Sequence, residues 1–166
     1  MPCPKDKAKD TSMIPAAVAA AKAADVAVLF LGSDQTTEAE NYDRDSLGLV
    51  GVQEQLLKAV VEAQPNTVVV LIHGGPVALS DWAQQHVKAV VDAFYPGELG
   101  GDAIVDTLLG ADGYNRFGRM PYTVYYSNFT DHRDIRQVDL QKDGGVTYRW
   151  FSGPVQWEFG AAIVFV

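Results

Sequence analysis

From Gly32 to Arg44 the chain reads Gly-Ser-Asp-Gln-Thr-Thr-Glu-Ala-Glu-Asn-Tyr-Asp-Arg, a concentration of carboxylates, amides, hydroxyls and one guanidinium. Groups of this kind suit a hydroxyl-rich ligand, because every sugar hydroxyl seeks both a donor and an acceptor. A carboxyl among them could act as a general acid if burial beside a bound sugar raised its pKa. Glu38 and Glu40 are the candidates. Two residues apart, they would share a side if the segment were extended, so spacing alone does not choose between them. The alternative is a solvated acidic loop in which Asp43 and Arg44 form a structural ion pair.

Other segments carry weaker chemistry. Gly74-Gly75-Pro76 is rich enough in glycine to turn tightly, but the chain has no G-x-G-x-x-G or G-x-x-x-x-G-K-[ST] pattern, which disfavours nucleotide binding. Ser80-Asp81-Trp82 reads as a helix N-cap followed by a core tryptophan. His73, His86 and His132 are scattered without a metal-binding spacing, and Cys3 is the single cysteine. No metal, cofactor or internal disulfide is therefore expected. Tyr95, Tyr148, Trp150 and Trp157 are either core aromatics or platforms for sugar rings.

The elements that must position these groups alternate in type. Ala16 to Ala24 is an alanine-rich helix with Val18 as its one bulky apolar residue, followed by a short apolar strand, Val26 to Leu31, expected to be buried. Val52, Leu56, Leu57, Val60 and Val61 recur at helical spacing up to a stop at Pro65. Thr67 to Ile72 is a second, β-branched strand. A short helix over Leu79 to Gln85, a strand over Ala89 to Phe94 and a helix from Leu99 to Leu109 closed by Gly110 complete the series. Strands and helices in this alternation, joined by short connections, predict an α/β fold: a mainly parallel sheet with helices on both faces. The loops at Gly32, Gly74 and Tyr95 then gather at the carboxyl ends of the strands, where open α/β sheets bind ligands. Beyond Gly110 the pattern is irregular, with edge-strand candidates at Tyr122 to Tyr126 and Val146 to Phe151 and an apolar end at Ile163 to Val166. The expected organisation is a tail over residues 1–13 and a single α/β-sandwich domain over 14–166.

Composition narrows the function classes. A chain of 166 residues with 48% hydrophobic and 20% charged residues can bury a core. Its net charge of -8 argues against nucleic acid or an anionic membrane surface as partner. No apolar run is long enough to span a bilayer, and the start, Met1 to Lys7, lacks the apolar core of a signal peptide. Asn128-Phe129-Thr130 satisfies the N-glycosylation sequon, a weak pointer to an extracellular parent protein.

Taken in order, several segments resemble the second, α/β-sandwich domain of glycoside hydrolase family 3. They are Ala23-Ala24-Asp25-Val26, Gly32 to Thr36, Glu38-Ala39-Glu40 with Asp43-Arg44, Ser46-Leu47 and Gly51-Val52-Gln53. Further on come Gly74 to Val77, Tyr95 to Glu98 with Gly100-Gly101, Gly118 to Pro121 and Thr147 to Phe151. Asp34-Gln35-Thr36 followed by Glu38-Ala39-Glu40 looks more like the β-xylosidase and α-arabinofuranosidase branch than the β-glucosidase branch.

The resemblance implies a retaining exo-glycosidase acting on xylan-type oligosaccharides, with a nucleophilic Asp on a separate (β/α)8 barrel and the acid/base Glu on this domain. Glu40 matches the acid/base position, with Glu38 as the reserve candidate. Asp34, Gln35 and Tyr95 are expected at the substrate, and Asp43 and Arg44 as braces of the loop. A barrel takes about 250 residues, more than this chain holds, so the resemblance implies a barrel partner supplied in cis or in trans. Ser80-Asp81-Trp82 copies the letters that surround the family nucleophile but follows the second strand of the wrong domain. On this reading the chain is a fragment or stand-alone derivative with little turnover of its own; the rival expectation is a non-catalytic carbohydrate-binding or interaction module.

Overall fold

The computed structural model describes residues 9–41, 43–110, 113, 117–134 and 136–161. The apolar end expected at Ile163 to Val166 lies outside them. The chain forms two compact units that divide between Gly100 and Gly101.

In the first unit the elements are α1 (Ile14–Lys22), β1 (Ala27–Gly32), α2 (Gln53–Ala63), β2 (Thr67–Ile72), α3 (Asp81–His86) and β3 (Ala89–Asp92). The three strands form a parallel sheet in the order β1-β2-β3, pairing Gly32 with Ile72 and Leu71 with Asp92. This register brings the carboxyl ends of all three strands to one rim. With its flanking helices the sheet is the α/β sandwich that the strand–helix alternation predicts.

β2 lies between its neighbours, and its Val69, Val70 and Leu71 are wholly buried. Leu29 and Leu31 of β1, Leu57, Val60 and Val61 of α2, and Val77 to Leu79 before α3 complete this core. α1 packs against α2. A helix with alanine at most positions lets a neighbour approach closely, which is why so few bulky residues suffice there. α2 ends at Ala63, and Gln64 adopts an extended backbone ahead of Pro65, whose ring disfavours helical geometry in the residue before it.

β1 departs from its expected burial. Leu29 and Leu31 are buried, but Val26, Val28 and Phe30 are exposed. β1 is the edge of the sheet, and residues two apart share a face, so a continuous apolar run can have one face covered and the other open. Trp82 also differs: it is half-buried, stacked on His86 at 4.4 Å with the Lys58 ammonium 5.6 Å from its ring. The N-cap at Ser80 is as expected, its hydroxyl accepting from the Ala83 N–H at 3.1 Å while donating to Glu54 at 2.6 Å.

In the second unit α4 (Gly100–Leu109), which begins at the boundary, ends on Gly110 with φ 61°, a left-handed C-terminal stop. β4 (Val124–Tyr125) and β5 (Val155–Trp157) pair antiparallel in a two-stranded sheet. Between them lie a 3₁₀ turn, Ser127–Asp131, and a short helix, α5 (Thr147–Trp150). The strand expected over Val146 to Phe151 is thus a helical turn. Gly144 and Gly145 take φ of 86° and 80°, which reverses the chain ahead of it. Phe151 then packs edge-on against the stacked rings of Tyr125 and Phe129. Aromatic packing and two glycines override the local preference for extended backbone.

Candidate active-site loop

Gly32 closes β1 and admits only glycine. A Cβ there would lie 1.7 Å from the Ile72 carbonyl oxygen. The Gln53 side chain grips both backbone groups of Gly32, accepting from its N–H at 2.8 Å and donating to its carbonyl at 2.7 Å. This amide anchors the start of the acidic loop to the first turn of α2. In the sequence, Gln53 is singled out only within the Gly51-Val52-Gln53 segment of the family resemblance, with no role attached.

From this anchor the loop folds back on itself. The Asp34 carboxylate accepts from the Thr36 hydroxyl at 2.6 Å and the Thr36 N–H at 2.8 Å, and the Asp34 carbonyl accepts from the N–H groups of Thr37 and Glu38. These Thr36 bonds hold the Asp34 carboxyl below its ordinary pKa. Asp34 and Gln35 are exposed, and the Asp34 carboxylate braces its own turn.

Glu38 points inward. It accepts from the Gly75 N–H at 3.0 Å, the Ser33 hydroxyl at 3.1 Å and Arg44 Nε at 2.6 Å. Arg44 also donates to the Pro76 carbonyl at 2.9 Å. The clamp ties the loop after β1 to the turn after β2. Burial pushes the Glu38 carboxyl upward, but the Gly75 N–H, the Arg44 guanidinium and the Ser33 hydroxyl together outweigh it and hold the pKa below the ordinary glutamate value. A general acid needs the opposite shift. The brace expected between Asp43 and Arg44 is formed instead between Glu38 and Arg44, because the loop brings Glu38 alongside while Asp43 lies exposed.

Glu40 is exposed, two residues beyond the clamp. Asn41 after it has φ 76°, a left-handed conformation that asparagine tolerates better than most residues. Tyr95 joins the third strand to the site. Its hydroxyl donates to the Ser33 carbonyl at 3.1 Å, and its ring lies so close to Gly74 that a Cβ there would meet it at 2.8 Å. Tyr95 remains half-exposed, with ring surface open beside the loop.

Beneath the rim lies a polar pair that the sequence did not announce. His73 at the end of β2 is fully buried, with Nε2 2.9 Å from Asp92 Oδ1 at the end of β3. The His73 N–H donates to the carbonyl of Phe94, whose φ is 53°. Among the described residues no group of three or more His, Cys, Asp or Glu side chains could hold a metal ion. No described helix is long and apolar enough to cross a membrane.

Residues 5–163 match the glycosyl hydrolase family 3 C-terminal domain. The chain belongs to glycoside hydrolase family 3. It is 42% identical to a probable β-D-xylosidase 7 of Arabidopsis thaliana over 148 residues, which are 87% of this chain and 19% of that protein. It is 32% identical to an exo-1,4-β-xylosidase of Aspergillus niger, over 93% of this chain and 20% of that one. Among solved structures, a family 3 exo-β-xylosidase in complex with a xylobiose aziridine probe superposes with a TM-score of 0.82 at 30% identity, over 92% of this chain and 20% of that chain. A family 3 β-glucosidase of Bifidobacterium adolescentis superposes at 0.78 with 29% identity, over 92% and 24%. The chain thus spans about a fifth of the length of the curated relatives it matches.

Proposed function

We propose that this chain forms the substrate-pocket wall of a retaining exo-β-xylosidase and supplies Glu40 as its acid/base. The observation that carries the choice of residue is the Glu38 clamp: three donors within 3.1 Å favour the ionised form of that carboxyl, whereas Glu40 stands exposed just beyond. Glu38 and Arg44 then position the loop, Asp43 continues it, and Asp34, Gln35 and Tyr95 border the sugar.

The nucleophile of such an enzyme belongs to a (β/α)8 barrel, joined in cis or supplied in trans. In a retaining mechanism two carboxyls stand about 5 Å apart across the scissile bond. Glu40 would protonate the departing oxygen as the barrel's carboxylate attacks the anomeric carbon, then take a proton from the water that cleaves the glycosyl-enzyme. The preference for xylosides over glucosides is supported by the first curated relatives, which are named as xylosidases. One family match spans both units, which supports treating them as parts of a single domain.

A chimera in which residues 5–163 replace the corresponding domain of a family 3 β-xylosidase tests the reading. Glu40→Gln should lower kcat on xylobiose by about 10²–10⁴-fold, the usual worth of a general acid. It should affect a xyloside with an acidic phenol leaving group far less in the glycosylation step, because that group departs without protonation. Equal rates for Glu40→Gln and the unaltered chimera on xylobiose would overturn the assignment. Xylobiose binding without any hydrolysis in an intact chimera would favour the non-catalytic carbohydrate-binding module.

A further inference from the structure

The second unit contains a cavity of about 360 Å³ whose walls include Thr123, Thr147, Tyr148, Phe151, Glu158 and Phe159. We propose that it is a second sugar-binding site, for a neutral ring of pentose size or a short chain of such rings. Every lining residue belongs to the second unit, so the proposal goes beyond the role given to Glu40 and does not depend on it.

Size and surface chemistry favour this ligand. The volume falls at the small end of the range of small-molecule sites. Tyr148 and Phe159 stack on one another at 4.2 Å yet are 65% and 45% exposed, a large area of ring for two neighbouring side chains to leave open. Aromatic surface of this kind suits the apolar C–H faces of a pyranose. The polar members of the wall are two threonines and one carboxylate. The Thr147 hydroxyl can both donate and accept, and Glu158 accepts, so together they meet the mixed demand of sugar hydroxyls. The wall contains neither lysine nor arginine, which disfavours a phosphate or a sugar acid.

Two features show that the cavity is a constructed part of the fold. Thr147 has φ 64°, a strained conformation for a β-branched residue. It is held there by its own N–H, which donates to the Tyr125 hydroxyl at 2.6 Å, and by its carbonyl, which accepts from the Phe151 N–H at 3.0 Å. Such strain concentrates at ligand sites and persists only where surrounding contacts enforce it. Gly153 completes the wall: a Cβ there would meet the Phe151 ring at 2.6 Å, so glycine alone lets the backbone pass.

The test is site-resolved NMR of the 166-residue chain titrated with xylobiose, and in parallel with glucuronic acid. Saturable shifts at Tyr148, Phe159 and Glu158 are expected, with Kd of about 1–10 mM. Glucuronic acid should bind at least about tenfold more weakly, and Tyr148→Ala should weaken xylobiose by a similar factor. Glu158→Gln keeps the shape of the wall and should still reduce affinity severalfold, which guards against a misfolded alanine variant. Absence of shifts at these residues, or shifts that persist at full affinity in both variants, would overturn the proposal. Shifts confined to the Ser33–Arg44 loop would overturn it while leaving the Glu40 reading standing.

Discussion

Arg44 Nε lies 2.6 Å from Glu38 Oε2, with the two side chains only 9% and 21% exposed. This pair fastens the acidic loop to the neighbouring Gly74-Gly75-Pro76 turn, since Glu38 also accepts from Gly75 and Arg44 also donates to Pro76. Removing one partner from a largely buried pair leaves the other without compensation. Arg44→Ala should therefore lower stability by about 2 kcal/mol, scaled down from the cost of a fully buried pair because Glu38 keeps some solvent and its other donors. Urea denaturation measures it; a change below about 0.5 kcal/mol would class the pair with ordinary surface contacts.

The same clamp predicts a pH dependence. Glu38 has its carboxyl pKa below the ordinary value of 4.5 in the folded chain, so in acid the unfolded chain takes up its proton first. The stabilisation is fully present above the ordinary value of 4.5 and is lost as pH falls through the folded pKa. Melting temperatures of the unaltered chain should fall more steeply between about pH 5 and pH 3 than those of Glu38→Gln. Parallel curves for the two proteins would contradict it.

Two glycines should respond oppositely to alanine. Gly32→Ala drives a Cβ to 1.7 Å from the Ile72 carbonyl oxygen in the β1–β2 pairing, and should cost about 3 kcal/mol or more. Gly101, within α4, has no positive φ, and a Cβ added there would meet nothing within 4 Å. Gly101→Ala should stabilise by up to about 1 kcal/mol through helix propensity. Thermal denaturation of both variants decides the matter.

His73 and Asp92 form a buried polar pair under the rim, and such pairs are costly to break but replaceable as a unit. His73→Leu and Asp92→Leu should each destabilise by about 3 kcal/mol, while the double replacement should recover most of that loss. A double-mutant cycle measures the coupling, and strict additivity would show that the two groups are independent.

Asn128 of the Asn128-Phe129-Thr130 sequon is exposed in the 3₁₀ turn Ser127–Asp131, where a glycosyltransferase could reach it. Expression through a eukaryotic secretory pathway should add a glycan at this position, removed by Asn128→Gln and detectable as a mass difference.

Much of the framework is local information and so is readable in the chain. Pro65 stops α2, Gly110 closes α4, Ser80 caps α3, and the alternation of β-branched strands with helical periodicity specifies a parallel sheet with its loops on one rim. The sequence also placed the acidic loop after β1 and offered Glu38 and Glu40 as candidates for the proposed acid/base. Only the tertiary structure separated those two. The direction of the Glu38 side chain depends on the Gly75 N–H, 37 residues away, and on a loop that turns through its own hydrogen bonds where an extended segment was assumed. The open face of β1, the helical turn at Thr147–Trp150 and the His73–Asp92 pair were hidden for the same reason. Each is decided by which distant groups come into contact, and neither residue type nor spacing along the chain carries that information.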